Sequence, residues 1–256
     1  MDHLPRKRFG QHFLHDRNVI KKILLAVNPQ PGDTLVEIGP GLGALTLPLL
    51  EHCGRLTAVE LDRDVIPRLH AEAQGKGDLR LIQADALKTD FRALALPGGK
   101  IRLVGNLPYN ISTPLLFHLL DHAAVVADMH FMLQKEVVQR MAAAPGGKDY
   151  GRLTVMLAAR CRVQPLFSIG SGAFTPAPKV ESAFVRLTPY PTPPFEVTDW
   201  VRFAQLVSQA FSRRRKTLRN ALRGLLDDAA IRAAGLDPMA RPETLSAGDY
   251  ARLASG

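Results

Sequence analysis

Between residue 34 and about residue 135, short β-branched runs alternate with stretches of helical spacing, which restricts this part of the chain to a parallel sheet with helices on both faces. The strand candidates are Thr34 to Ile38, Leu56 to Glu60, Leu79 to Ile82, Ile101 to Val104 and Met129 to Leu133. Each is bounded by Gly, Asp or Pro, which interrupt regular structure. Ahead of the last strand, Ser112 is placed as a helix N-cap with Pro114 in the first turn, leading into Leu115 to Leu120.

The rhythm stops near Thr188-Pro189-Tyr190-Pro191-Thr192-Pro193-Pro194, where four prolines in a short window suit a linker. Beyond it the apolar spacing is helical only, as in Val201, Ala204, Leu206 and Val207, then Leu218, Ala221, Leu222 and Leu225. The expected architecture is α/β: a Rossmann-like sheet domain over residues 1–188 and a small all-helical domain over 189–256. A chain of 256 residues has enough material to bury a full core with such an appendage.

The 33 Lys and Arg against 24 Asp and Glu leave a formal charge of +9, so a polyanionic partner has to be considered. Arg6, Lys7 and Arg8 are not followed by an apolar stretch, and no run of about 18 apolar residues occurs, so neither export nor a membrane span is expected. Cys53 and Cys161 stand alone, without zinc-site spacing or the density of a disulfide scaffold. They read as core residues of a cytoplasmic protein, and no metal site is expected.

The loop Glu37-Ile38-Gly39-Pro40-Gly41-Leu42-Gly43-Ala44 follows the first strand and opens a helix. Its glycines allow a ligand to approach the backbone closely, because no Cβ intervenes. Gly39, Gly41 and Ala44 also fit the spacing of a dinucleotide site, and Glu60 suits the ribose of either a nicotinamide cofactor or S-adenosylmethionine. Three features favour the methyl donor. Glu37 would face a cationic amino-acid end and would repel a pyrophosphate. Pro40 stiffens the loop at the same place. Asp85, after the third strand, is placed to accept a hydrogen bond from the cofactor's adenine amine, although a strand-end turn explains it as well.

After the fourth strand comes Asn106-Leu107-Pro108-Tyr109. An exocyclic adenine amine is a poor nucleophile because its lone pair is delocalised into the ring. The side-chain oxygen of Asn106 and the carbonyl of Leu107 can accept its two hydrogens and turn the lone pair toward a methyl donor. Pro108 fixes the backbone, and Tyr109 offers a face on which an extruded base can stack. Asn106 is also within reach of the cofactor, and no strong general base is needed.

Phe174 to Ser182 is too rich in proline for a buried strand and reads as a rigid loop. Phe174 either closes a clamp on the base opposite Tyr109 or packs as a plain core aromatic. In Phe211 to Arg223, Arg213, Arg214, Arg215, Lys216, Arg219 and Arg223 occur with no acid among them. Such a run is either a solvated face or a phosphate-binding surface, and the second suits the overall charge.

These residues carry a resemblance. The chain resembles the small-subunit ribosomal RNA adenine dimethyltransferases, the KsgA/RsmA family, through Gly10 to Leu14, Glu37 to Thr46, Glu60 to Asp62, Asp85, Asn106 to Tyr109, Phe174 to Ser182 and a basic helix over Phe211 to Asn220. The resemblance implies a Rossmann-like S-adenosylmethionine-dependent methyltransferase sheet, with Gln11, His12 and Leu14 in a segment that wraps the cofactor. The family has Asn where this chain has His12, which puts the side-chain contact there in question. Further implied are two adjacent adenines near the 3′ end of small-subunit rRNA, each methylated twice, an assembling 30S subunit as partner, and a monomer. Rival readings are the antibiotic-resistance dimethyltransferase of large-subunit RNA, which shares the loop and tetrad but not the tail, a ribosome-assembly checkpoint factor, and a nicotinamide oxidoreductase.

Overall fold

The computed structural model describes residues 12–213 and 215–256. The described chain divides into two compact units, the first running up to Val138 and resuming over Gln164–Pro189, the second comprising Gln139–Val163 and Tyr190–Gly256. The proline-rich stretch therefore does lie at a division, while residues 139–163, inside the expected sheet domain, group with the tail.

The first unit is built on β2 (Thr34–Ile38), β3 (Arg55–Glu60), β4 (Asp78–Gln83), β5 (Ile101–Asn106), β6 (Val126–Gln134), β7 (Cys161–Ile169, whose first three residues group with the second unit) and β9 (Ser182–Pro189), with α1 (Arg17–Val27), α2 (Thr46–Cys53), α3 (Ile66–Glu72) and the start of α5 (Lys135–Met141). Their order across the sheet is β4-β3-β2-β5-β6-β9-β7. The pairs from β4 through β6 are parallel, and β9 runs antiparallel to β6 with Met132 opposite Phe184. Leu35 to Ile38 are all buried, as a central parallel strand covered on both faces requires. The chain builds outward from β2 in one direction through β3 and β4, then returns to add β5 and β6 on its other side. That reversal opens a crevice beyond the carboxyl ends of β2 and β5, where open sheets of this kind receive ligands.

Two strands escape the sequence pattern. β7 contains Pro165 and ends the sheet order, and an edge strand tolerates proline because one row of its N–H groups has no partner strand. β9 ends at Pro189, inside the stretch read as linker. A third difference concerns Phe174 to Ser182. Its first two residues form β8 (Phe174–Thr175), which pairs with β1 (Phe13–Leu14), Leu14 facing Phe174. Both precede the first proline, so their N–H groups remain available for pairing. Ser112 is the first residue of α4 (Ser112–Leu120) rather than its cap, and its hydroxyl donates to the Tyr109 carbonyl at 3.1 Å.

In the second unit, α6 (Arg152–Ala158), α7 (Trp200–Ser212), α8 (Leu218–Ala221), α9 (Asp228–Ala233) and α10 (Ala247–Ser255) gather around Phe203, Leu206 and Val207 of α7 and Tyr250 of α10. The Tyr250 hydroxyl donates to the Pro242 carbonyl at 2.9 Å, which satisfies the one polar atom of a fully buried ring. The segment after Phe211 is not one basic helix. α7 ends at Ser212 with Arg213 in extended conformation, Arg215 takes a left-handed φ of 66°, and helix resumes only at Leu218. Clustered like charges weaken a continuous helix there.

Candidate active site

A cavity of about 800 Å³ opens in the first unit at the crevice beyond β2 and β5. Its lining includes His12, Leu14, Gly39, Gly41, Glu60, Asp85, Asn106, Leu107, Pro108 and Tyr109. The strand ends that carry the acids, the glycine loop and the Asn-Leu-Pro-Tyr turn thus surround one space. Gln11 lies outside the described residues.

The glycine loop is shaped by positions that exclude a side chain. Gly41 has φ of +53°, and a Cβ there would meet the Phe13 ring at 3.2 Å. Gly105, in β5, lies so close to its neighbour strand that a Cβ would stand 2.4 Å from the Ile38 carbonyl oxygen. These close approaches hold the ends of β2 and β5 together beneath the cavity.

Three carboxylates face this space from successive strand ends. Glu37 is 1% exposed, and its Oε2 is buried with no hydrogen-bond partner among the described residues. Burial pushes its carboxyl from the ordinary 4.5 up to about 8, opposed by the Thr46 hydroxyl and reinforced by the Glu60 charge. Glu60 is held by two backbone donors, Asp62 N–H to Oε1 at 2.8 Å and Gly41 N–H to Oε2 at 3.2 Å. Burial raises its pKa as well, with those N–H groups working against the shift. Asp85 Oδ1 accepts the Leu87 N–H at 2.9 Å, so the strand-end turn is real, and the same residue lines the cavity. The turn and a ligand contact are compatible, because the second carboxylate oxygen is left over.

At the tetrad, the Asn106 side-chain amide donates to the His12 backbone carbonyl at 2.8 Å. That bond fixes the amide orientation and leaves Oδ1 as an acceptor with no partner among the described residues. In the turn that follows, the Pro108 carbonyl accepts from Ile111 N–H at 3.2 Å and the Tyr109 carbonyl from Ser112. The Leu107 carbonyl is not used in this way among the described residues. Two acceptors, Asn106 Oδ1 and Leu107 O, therefore stand uncommitted at adjacent positions. The Tyr109 hydroxyl and Ser182 Oγ lie 2.6 Å apart, which ties the ring to the start of β9, and burial raises the phenol pKa.

Phe174 is not at the cavity. It is 3% exposed and packs in the hydrophobic core with Leu14, Ile23 and Phe184, because its pairing with Leu14 on β1 turns the ring inward. The core-aromatic alternative is the one found. A different ring occupies the place opposite Tyr109: His12 stacks on it with centroids 5.5 Å apart and planes at 30°. His12 Nδ1 lies 2.8 Å from the Pro176 carbonyl, to which it donates. Neither this contact nor the Ser182 tether has any signature in local spacing, since both join residues far apart in the chain.

In the second unit, Arg213, Arg215 and Lys216 are exposed, and none has an ion-pair partner among the described residues. Arg214 lies outside the described residues, as do Arg6, Lys7 and Arg8. Arg219 differs: its guanidinium grips Asp228 in a forked pair, Nε to Oδ1 at 2.8 Å.

Comparison with known proteins agrees with this geometry. Residues 2–255 match the family described as ribosomal RNA adenine dimethylase. A protein of Nitrosococcus oceani named ribosomal RNA small subunit methyltransferase A is 57% identical over 253 residues, 99% of this chain and 96% of the relative. Its namesake in Pseudomonas putida is 55% identical, covering 98% of this chain and 94% of that protein. Among solved structures, a dimethyladenosine transferase from Plasmodium falciparum superposes with a TM-score of 0.81 at 26% identity, over 94% of this chain and 96% of that one. The 23S rRNA methyltransferase ErmE gives 0.71 at 25% identity, over 95% and 98%. With nearly its whole length accounted for by the family match, the chain belongs to the ribosomal RNA adenine dimethylase family.

Proposed function

We propose that the protein transfers methyl groups from S-adenosyl-L-methionine to the exocyclic amines of two adjacent adenines near the 3′ end of small-subunit ribosomal RNA while the 30S subunit is being assembled. The observation that carries this reading is the pair of uncommitted acceptors, Asn106 Oδ1 and the Leu107 carbonyl, beside three strand-end acids in one cavity. The names of relatives at 57% and 55% identity favour the small subunit over the large, whose enzyme is matched at 25%.

The residues fit the cofactor. Glu37 Oε2, buried and unpartnered among the described residues, would be satisfied by a cationic ammonium beside Gly39 and Gly41. Glu60 is placed for ribose hydroxyls and Asp85 for the cofactor's adenine amine, with His12 and Leu14 lining the same cavity. When bound, the cofactor supplies an electrophilic methyl group on a sulfonium.

Asn106 and Leu107 accept the two amine hydrogens of the target base, which draws its lone pair out of conjugation and aims it. Pro108 holds the turn rigid, and Tyr109 supports the base from one face. The proton that becomes acidic after transfer leaves through the same acceptors or to water. The sheet unit does this chemistry, and the helical unit, residues 139–163 and 190–256, grips RNA phosphates through Arg213, Arg214, Arg215 and Lys216. The protein acts as a cytoplasmic monomer.

The test is incubation with unmodified small subunits and radiolabelled methyl donor, followed by nucleoside analysis. Dimethyladenosine in small-subunit RNA is expected from the wild type and none from Asn106→Ala. Binding of subunits without any methyl transfer would leave an assembly-binding protein instead.

A further inference from the structure

We propose that His118 is a positioning residue for methyl transfer, which fastens the turn bearing Asp85 to the helix that grows out of the Asn106 to Tyr109 turn. This rests on the reading of Asp85 as the acceptor for the cofactor's adenine amine. The stretch from Ala84 to Phe91 is pinned at one end by the Ala84 N–H, which donates to the Glu60 carbonyl at 3.0 Å, and at the other by the fully buried Phe91 ring. Between those pins the Asp85 carbonyl accepts from the Lys88 N–H and from the Thr89 hydroxyl, each at 2.9 Å, and Oδ1 accepts from the Leu87 N–H. Bonds within a turn fix its shape but not its place. Its place is set through Thr89, whose carbonyl lies 2.8 Å from His118 Nε2. A carbonyl can only accept, so Nε2 carries the ring proton and donates.

The link joins the two halves of the site. His118 lies on α4, whose first residue, Ser112, donates to the Tyr109 carbonyl, while Leu115, Leu116, Leu119 and Leu120 bury the inner face of the helix. From Ser112 to His118 the helix rises about 9 Å as one stiff rod. Phe91 meets the rings of His118 and His122 edge-on, with centroids 6.0 and 5.7 Å away, which braces the imidazole that does the holding. His122 Nε2 also stands 3.2 Å from Asp90 Oδ1, but that carboxylate is exposed and already serves the Arg92 N–H and guanidinium, so its hold on the turn is weak. In-line transfer requires donor and acceptor to share one frame. The bond from His118 to Thr89 puts the turn that receives the cofactor's adenine into the frame of the helix behind the target-base turn. Ala84 to Leu87 line the cavity and His118 does not, so it acts through the turn.

His118→Gln and His118→Asn separate reach from polarity, since a glutamine amide nitrogen comes close to where Nε2 stands and an asparagine amide stops short of it. Calorimetry of S-adenosylhomocysteine is expected to give an affinity within about twofold of wild type for His118→Gln and roughly fivefold weaker for His118→Asn, the effect of one lost hydrogen bond. In an Asp85→Ala background, itself weakened, adding His118→Asn is expected to change affinity by less than about twofold, because the two act along one path. S-inosylhomocysteine, with a carbonyl in place of the adenine amine, gives a readout that a merely structural role would not move. The wild type is expected to prefer S-adenosylhomocysteine, and His118→Asn to lose roughly fivefold of that preference. Equal affinities for the Gln and Asn variants, losses that multiply in the Asp85→Ala background, or an unchanged preference overturn the role of His118 while the reading of Asp85 stands. Undiminished S-adenosylhomocysteine binding by Asp85→Ala overturns that reading and the role of His118 with it.

Discussion

Arg186 donates through Nε to Nε2 of His130 at 2.7 Å, so His130 is an acceptor on that side and carries its ring proton on Nδ1, which faces Asp128 Oδ1 at 3.4 Å. The pair belongs to a network that ends on a helix. Arg186 also reaches the Ala26 carbonyl at 2.5 Å, and Arg102 reaches the Val27 carbonyl at 2.6 Å while pairing with Asp33 and Asp128. Ala26 and Val27 close α1 (Arg17–Val27), whose final carbonyls have no partner within the helix. Two arginines thus supply the C-terminal cap of the helix whose other end, at Arg17 and Ile20, lines the cavity.

Removing one guanidinium from this network leaves two carboxylates, Asp33 and Asp128, without their cation. Arg102→Met is therefore expected to cost about 2 to 3 kcal/mol, less than a fully buried pair because the groups are partly exposed. Urea unfolding of variant and wild type measures it. A change below about 0.5 kcal/mol would mean that the network adds nothing beyond solvent contacts. Arg102→Lys should recover only part of the loss, since one ammonium cannot serve the carbonyl and both acids at once.

Such networks mark the limit of what could be read from sequence. The parallel strands β2 to β6 were legible because buried β-branched runs between Gly and Asp have no other use. Gly39, Gly41, Glu60, Asp85 and the Asn106 to Tyr109 turn were legible because each sits directly after a strand, where topology alone brings them together. β7 and β9 were hidden by Pro165 and Pro189, which read as breakers but sit at an edge and at a strand end. Phe174 was misplaced at one of its two options because its inward rotation depends on pairing with Leu14, 160 positions earlier. Long-range register of that kind leaves no local periodicity.

The two kinds of arginine in the second unit should behave differently toward RNA. Exposed Arg215 and Lys216 have no ion pair among the described residues, whereas the Arg219 charge is already met by Asp228. If the first two bind phosphates, replacing both with Ala lowers the slope of log affinity against log salt by about 0.7 to 0.9 for each phosphate no longer neutralised. Arg219→Ala should leave the slope nearly unchanged and instead loosen the hold on α9. Filter binding to unmodified small subunits across a salt series decides this, and equal slope changes for Arg219 and for the exposed pair would contradict it.

Tyr109 separates tether from surface. Tyr109→Phe keeps the ring but loses the 2.6 Å hydrogen bond with Ser182, a loss of about 1 kcal/mol in stability with methylation reduced only a few-fold. Tyr109→Ala removes the face itself and is expected to cut kcat/KM for RNA by roughly tenfold or more. If initial rates place the two variants together, the hydroxyl and not the ring is what the base site uses.

The most distinctive pH behaviour should come from Glu37. Its pKa in the folded protein, about 8, lies above the ordinary 4.5, so folding favours the protonated form. Below 4.5 the carboxyl is neutral in folded and unfolded chains alike and costs nothing; between 4.5 and 8 an unfolded carboxylate must take up a proton or be buried charged, and stability declines across that window until it levels off above 8. Glu37→Gln, neutral throughout, should be the more stable protein near pH 8, by a few kcal/mol on the order-of-magnitude linkage scale, and the gap should close toward pH 5. A cationic ammonium beside the carboxylate reverses the balance, since an opposite charge favours ionisation. Cofactor binding by the wild type should then release a proton below pH 8, and affinity for S-adenosylhomocysteine should rise with pH through the same window. Calorimetry in buffers of different ionisation enthalpy counts that proton directly. Glu37→Gln should bind more weakly, release none and lose the pH slope; a slope that survives in Glu37→Gln would place the cationic end of the cofactor against some other group.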